Sequence, residues 1–298
     1  VASNADISAA DLALLAADKP ILAANAGYNP SVVEWRNGGS WAAGSDETET
    51  ANPTVRAYDG KGHLDTRPDT ARTTHYLLFD FGAAGIEFDF VAILGHNFGT
   101  IGGLTVTAEC STTSSYGSPV ALSSWSPAGS NNRLIDLSLS AGTAQRYSAY
   151  RYARIGMTKG STFTPQIGEV IWGRRRQLKH KSNIGGGFDP DAHMALVTDN
   201  RSLSGVLTRY SWADGQRALA GNFNPHEDAY KDDIKAWGVQ VGYGARSLVY
   251  IEDPSTTPEG FLLMYMVDPR FSFPLQGPLS RLFELTALEQ PPFLAGQV

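Results

Sequence analysis

Short apolar runs with a period of two recur along the chain, and this alternation limits the fold more than any other feature. In YLLFDFG (76–82), Leu77, Phe79 and Phe81 share one face and Leu78 lies on the other. In FDFVAILGHN (88–97), Phe88, Phe90, Ala92 and Leu94 alternate with Asp89, Val91 and Ile93. LTVTAEC (104–110) sets apolar residues against Thr105, Thr107 and Glu109, and RLIDLSL (133–139), YRYARIGM (150–157) and IGEVIWG (167–173) follow. Successive side chains of a strand point to opposite faces, so such runs read as strands with one or both faces covered. The 31 glycines and 16 prolines supply the tight turns between them. Short strands with turn residues at this spacing predict a β-sandwich.

The pattern changes after residue 173. A basic run, RRRQLKHK (174–181), and the Gly-rich SNIGGGFDP (182–190) predict a linker, in which Gly185-Gly186-Gly187 has neither strand before it nor helix after it. Beyond it MALVTDN (194–200), LSGVLTRYSW (203–212), SLVYIED (247–253), FLLMYMV (261–267) and RLFELTAL (281–288) read as strands. Asn224 as N-cap, Pro225 at the first helical position and Glu227 completing a capping box predict one helix there, ending near Gly238. Ser8 to Asp11 forms a similar box ahead of a helix over 9–17, stopped by Pro20. The expected organisation is mainly β: a sandwich domain over 1–175, a linker over 176–190 and a smaller α+β domain over 191–298. FLLMYMV is apolar on both faces, so Met264, Met266, Phe271, Phe273 and Phe293 are candidates for a self-assembly interface.

Composition and motifs exclude several functions. A formal net charge of -6 opposes general affinity for a phosphate backbone, and the basic run lacks interleaved aromatics, so no nucleic-acid partner is expected. Cys110 is the single cysteine, which excludes an intramolecular disulfide and a Cys-based zinc site; its alternating context predicts a small buried residue. No run is long enough for a membrane helix, and residues 1–20 lack signal-peptide features, so a reducing cytoplasm or prior trimming is expected. No nucleophile elbow, phosphate loop, dinucleotide fingerprint or zinc-protease motif occurs. Asp189, Asp191 and His193 read as a turn before a metal site, and the carboxylates after His226 suit a helix N-terminus. His96 and Asn97 read as turn residues. No catalysis, cofactor or metal is expected.

Three segments in order, YLLFDFG, IEFDFVAILGHNF (86–98) and YRYARIGMTKGSTFTPQIGEVIWG (150–173), resemble the galactose-binding-like, or discoidin-type, jelly-roll β-sandwich. The Gly95-His96-Asn97 turn and a compact C-terminal part with Gly242-Tyr243-Gly244, Tyr250 to Pro254 and Phe283 to Leu285 are similar to tail and tail-tip proteins of tailed bacteriophages. That resemblance implies a virion protein made in a host cytoplasm, a homo-oligomer contacting other tail proteins. The alternative is a carbohydrate-binding module for a cell-surface glycan. Sandwiches of the first kind often bind ligands with loops at one end, which implies candidates among Trp35, Trp41, Arg56, Tyr58, His63, Arg67 and Arg72. Trp35 and Trp41 also fit an ordinary core or interface role.

Overall fold

The structure is a computed structural model that describes residues 21–45, 47, 49–59, 65–88, 90–127, 133–136, 149–177, 193–201, 207–227, 235, 238–239, 248–251, 262–266, 275–277 and 280–289. It is mainly β, and every strand pair among these residues is antiparallel. The expected helix over 9–17, residue His63 and the interface candidates Phe271, Phe273 and Phe293 lie outside the described residues.

The first part is a two-layer sandwich. One layer is a five-stranded sheet of β2 (Val32–Arg36), β3 (Arg72–Asp80), β8 (Tyr152–Phe163), β5 (Thr105–Ser111) and β6 (Val120–Trp125), in that order. The facing sheet contains β1 (Ile21–Asn25), β9 (Glu169–Gln177), β4 (Phe90–Leu94) and β7 (Arg133–Asp136). The alternation read from the sequence explains the packing. Leu77 and Phe79 of β3, Val106, Ala108 and Cys110 of β5, and Ala153, Ile155 and Met157 of β8 point inward. They meet Val91, Ile93, Val170 and Trp172 of the opposite sheet. Trp172 is fully buried and takes edge contacts from Phe79, Phe81 and Phe88. Both faces of β4 are covered, since Phe90, Ala92 and Leu94 are buried as well. Cys110 is buried as expected, and burial pushes its thiol pKa up to about 12.

The second sheet does not stop where the linker was expected. Arg174 to Gln177 pair with β1, from Arg174 with Ala24 to Gln177 with Ile21, so the first half of the basic run is strand. The other edge of β1 pairs with β12 (Leu248–Ile251). The sheet then continues through β13 (Leu262–Met266), β15 (Ser280–Glu289) and β11 (Leu207–Glu227) to β10 (His193–Arg201), with β14 (Leu275–Gly277) paired to β15. Met264 and Met266 therefore lie in a strand flanked on both edges, by β12 and β15. Asn224 to Glu227 form the end of β11 rather than a helix start: His226 pairs with Arg281 and Glu227 with Ser280. Pro225 falls in the register shift between Phe223 and His226, where its missing N–H costs no ladder bond. Helical backbone occurs later, at Lys235, Gly238 and Val239, so Gly238 lies inside the helical stretch instead of ending it.

Candidate functional site

The outward face of the five-stranded sheet carries an unusual set of side chains. Register aligns Glu34, Leu78, Arg154 and Glu109 in one row across β2, β3, β8 and β5. The next row is Arg36, Tyr76, Gly156 and Thr107, and on the other side lie Val32, Asp80, Tyr152 and Ser111. Charged and aromatic residues thus alternate over a surface that a free-standing sheet would give to water.

Arg154 organises the centre. Its Nε donates to Glu109 Oε2 at 2.6 Å. Its guanidinium carbon lies 5.0 Å from the ring centre of Tyr76 and 4.4 Å from that of Tyr116. Gly156 makes this possible, because a Cβ there would come within 3.0 Å of Tyr76 Cε1 and 2.6 Å of Thr107 Oγ1. Tyr116 is 6% exposed and holds a left-handed φ of 49° in the turn between β5 and β6. Burial raises the pKa of its phenol well above the ordinary tyrosine range, against the opposing pull of Arg154. With Leu78 and Tyr152 it makes a small second core, against which Trp41 and Tyr76 pack.

A flap over 37–45 lies across this layer. Its base is tied by the Asn37 amide to the Ser45 carbonyl (3.4 Å), the Ser45 amide to Asn37 Oδ1 (2.8 Å) and Asn37 Nδ2 to Ser45 Oγ (3.1 Å). At its tip the Trp41 amide donates to the Ser114 carbonyl (3.1 Å), while the Trp41 carbonyl accepts from Arg36 Nη1 (2.8 Å). The Arg36 guanidinium lies 5.5 Å from the Trp41 ring centre and its Nε donates to Glu34 Oε2 at 3.0 Å. Trp41 is half-buried, with its ring 6.5 Å from that of Tyr152. Gly39 seats the flap closely: a Cβ would lie 2.7 Å from Arg154 Nη1 and 3.3 Å from Tyr76 Cζ.

The edge of the layer is closed by Arg151 and Asp80, with two parallel bonds of 2.9 and 2.8 Å and the guanidinium 4.9 Å from the Tyr152 ring. The Arg151 bonds, with help from the Gly82 amide, hold the Asp80 carboxyl below its ordinary pKa, against partial desolvation.

The loop residues expected to form one site separate into three groups. Trp35 is fully buried in the sandwich core and donates from Nε1 to Thr66 Oγ1 at 2.9 Å, so it is a core residue and not a ligand contact. Trp41 alone among the expected residues reaches the outer layer. Arg56, Tyr58, Arg67 and Arg72 lie in or beside the long loop at the far end of β3, where they hold the chain in place. Arg56 Nη1 bonds Asn52 Oδ1 (2.8 Å) and the Asp65 carbonyl (3.2 Å), and Arg67 Nε faces Asp65 Oδ2 at 3.8 Å. Tyr58 packs on the core, and desolvation raises its pKa, with Asp59 adding to the shift. Arg72 pairs with the buried Glu47, whose other oxygen lies 2.7 Å from His75 Nδ1. Asn97 is also a positioning residue: its side chain accepts from the Gln166 amide (2.9 Å) and donates to the Thr164 carbonyl (3.2 Å). Asn97 itself has a φ of -99°, and the left-handed position of this turn, φ 62°, is held by Gly95. No group of three or more His, Cys, Asp or Glu suited to a metal occurs among the described residues.

No protein-family model matches the chain, and no curated protein does. Solved structures do. A chitosan-binding module 1 from a chitosanase/glucanase of Paenibacillus sp. IK-5 matches at 12% identity and a TM-score of 0.38, over 50% of this chain and 98% of that one. The CBM32 of AlyQ, in complex with 4,5-unsaturated mannuronic acid, matches at 17% identity and 0.34, over 49% and 95%. The CBM32-1 and CBM32-2 domains of Clostridium perfringens ZmpB, in complex with GalNAc, match at 11% identity and 0.35, over 49% and 34%.

Proposed function

We propose that the chain is a non-catalytic carbohydrate-binding module whose ligand surface is the Trp41 flap and the layer beneath it. The observation that carries this is the partly buried indole of Trp41, held at the flap tip by its amide to Ser114 and its carbonyl to Arg36, beside the paired Arg36 and Glu34. A sugar offers an apolar face of C–H groups and a rim of hydroxyls. An aromatic ring covers the first, and a guanidinium–carboxylate pair supplies donors and acceptors for the second. Each guanidinium in the layer is already matched by a carboxylate, Arg36 by Glu34, Arg154 by Glu109 and Arg151 by Asp80, which favours a neutral glycan over an acidic one.

A glycan array followed by calorimetry on the best neutral oligosaccharide tests the proposal. Trp41→Ala is expected to weaken binding about tenfold, or about 1.4 kcal/mol, while leaving the melting transition within a few degrees. Unchanged affinity in Trp41→Ala, or an array without signal, refutes it. Carriage of such a module by a phage tail is the second reading, favoured by the Gly95-His96-Asn97 turn and the apolar FLLMYMV segment. Native mass spectrometry tests it, since a ring or trimer is expected there and a monomer is not.

A further inference from the structure

His75 is shut inside the sandwich, and the polar groups around its ring cannot all be satisfied at once. Its Nδ1 lies 2.7 Å from Oε2 of Glu47, which is buried with it. Its Nε2 stands between two backbone groups of opposite kind, the Phe163 carbonyl oxygen at 2.9 Å and the Arg72 amide nitrogen at 3.2 Å. A ring nitrogen that carries a proton donates, and one without a proton accepts. Nε2 can therefore bond Phe163 only when protonated and Arg72 only when bare. The carboxylate beside Nδ1 keeps a proton there in both cases, so the first arrangement is the imidazolium and the second the neutral ring. Arg72 and Phe163 are register partners at the end of the β3–β8 ladder, next to a register shift, so the proton decides which strand end the ring holds.

Among the described residues, the charges that face the ring are Glu47, which attracts the imidazolium, and Arg72, which shares Glu47 through its Nε and repels it. Trp35 of β2 and Phe163 of β8 present uncharged rings, centred 6.3 and 5.0 Å away. The Glu47 amide donates to the Trp35 carbonyl at 2.8 Å, two residues after Ser45 closes the base of the flap. We infer that His75 is a proton-operated latch at the root of the flap. The protonated ring ties Glu47 to the end of β8 through Phe163. The neutral ring keeps Glu47, faces the Phe163 carbonyl with a bare lone pair, releases it, and takes the Arg72 amide instead. Change of charge on an imidazole is the ordinary proton switch of proteins near neutral pH, and here it exchanges one backbone partner for another.

Nitrogen NMR of the unaltered full chain, isotope-labelled and assigned through its backbone, tests this by following both ring nitrogens of His75 from about pH 5 to about pH 9. Nδ1 is expected to keep its proton throughout, and Nε2 to lose its own as the pH rises. The Arg72 amide proton is expected to move downfield at the same midpoint, because it gains an acceptor there. An Nε2 whose protonation does not change across that range overturns the inference. A neutral ring with its proton on Nε2 overturns it as well, and so does an Arg72 amide that stays in place while Nε2 titrates. The latch stands or falls on these signals whether or not the chain binds a glycan.

Discussion

Replacing Arg154 by Met tests whether the outer layer is a built structure or a chance arrangement of surface residues. The side chain is 11% exposed and its partner Glu109 18%, so neither charge is well hydrated. Deletion removes a bond of 2.6 Å to a carboxylate, a kind that contributes about 1.5–3 kcal/mol net. It also removes two guanidinium–ring contacts, each about 0.5–1 kcal/mol at an exposed site and more where the cation is desolvated. Met keeps the apolar stem, which limits the packing loss. The expected cost is about 3 kcal/mol, most of it from leaving Glu109 unpaired. Adding Glu109→Gln to Arg154→Met should therefore recover part of the loss, with a coupling of about 1–2 kcal/mol in a double-mutant cycle. Urea unfolding of the full chain followed by tryptophan fluorescence measures it. A cost below about 0.5 kcal/mol, or additive single and double variants, refutes the reasoning.

Three further outcomes follow from the same geometry. Because the folded-state pKa of Asp80 is depressed, its contribution is present above the unfolded value, near pH 3.9, and disappears as pH falls through the folded value; Asp80→Asn should be destabilised near pH 7 and approach the unaltered protein as pH falls below that depressed value. Glu47→Gln removes the charge that Arg72 and His75 share inside the protein, and about 2–4 kcal/mol of stability should go with it, measured by calorimetry at fixed pH. Cys110, buried and with its thiol pushed up to about 12, should resist thiol reagents in the native protein and react at once in denaturant; rapid native labelling would contradict its placement.

The sandwich was legible because its strands bury one face, and a period of two records that burial in adjacent residues. Trp35 could have been assigned to the core in the same way: it alternates with Val33 in VVEWR, and both are inward. The site was less legible because it lies on the outward positions. Tyr76, Asp80, Tyr152, Arg154, Glu34, Arg36 and Glu109 are each unremarkable in their own strands. Only register brings them together, across sequence separations such as the 45 residues between Glu109 and Arg154. A usable signal existed, since the outward positions of β2, β3, β5 and β8 taken together mix aromatics with both charge signs where polar residues would suffice. The helix start expected at Asn224 failed for the opposite reason. Its capping residues are a local signal, and eight register partners along β15 outweighed it.

The position of β1 changes how the two halves of the chain relate. Ile21 to Asn25 precede the sandwich in sequence, yet in the sheet they stand between β9, the last strand of the sandwich, and β12, from the second half. Antiparallel ladders on both edges of β1 hold the halves together through backbone bonds, one of them made with Arg174 to Gln177 of the basic run itself. The arginines at 174–176 are opposite Leu22, Ala23 and Ala24 in that ladder, which excludes a solvated linker at those residues. The Trp41 flap and the outward face of the five-stranded sheet belong to the other layer of the sandwich. One layer thus anchors the sandwich to the rest of the chain while the other carries the Trp41 flap, a division that follows from which sheet β1 joins.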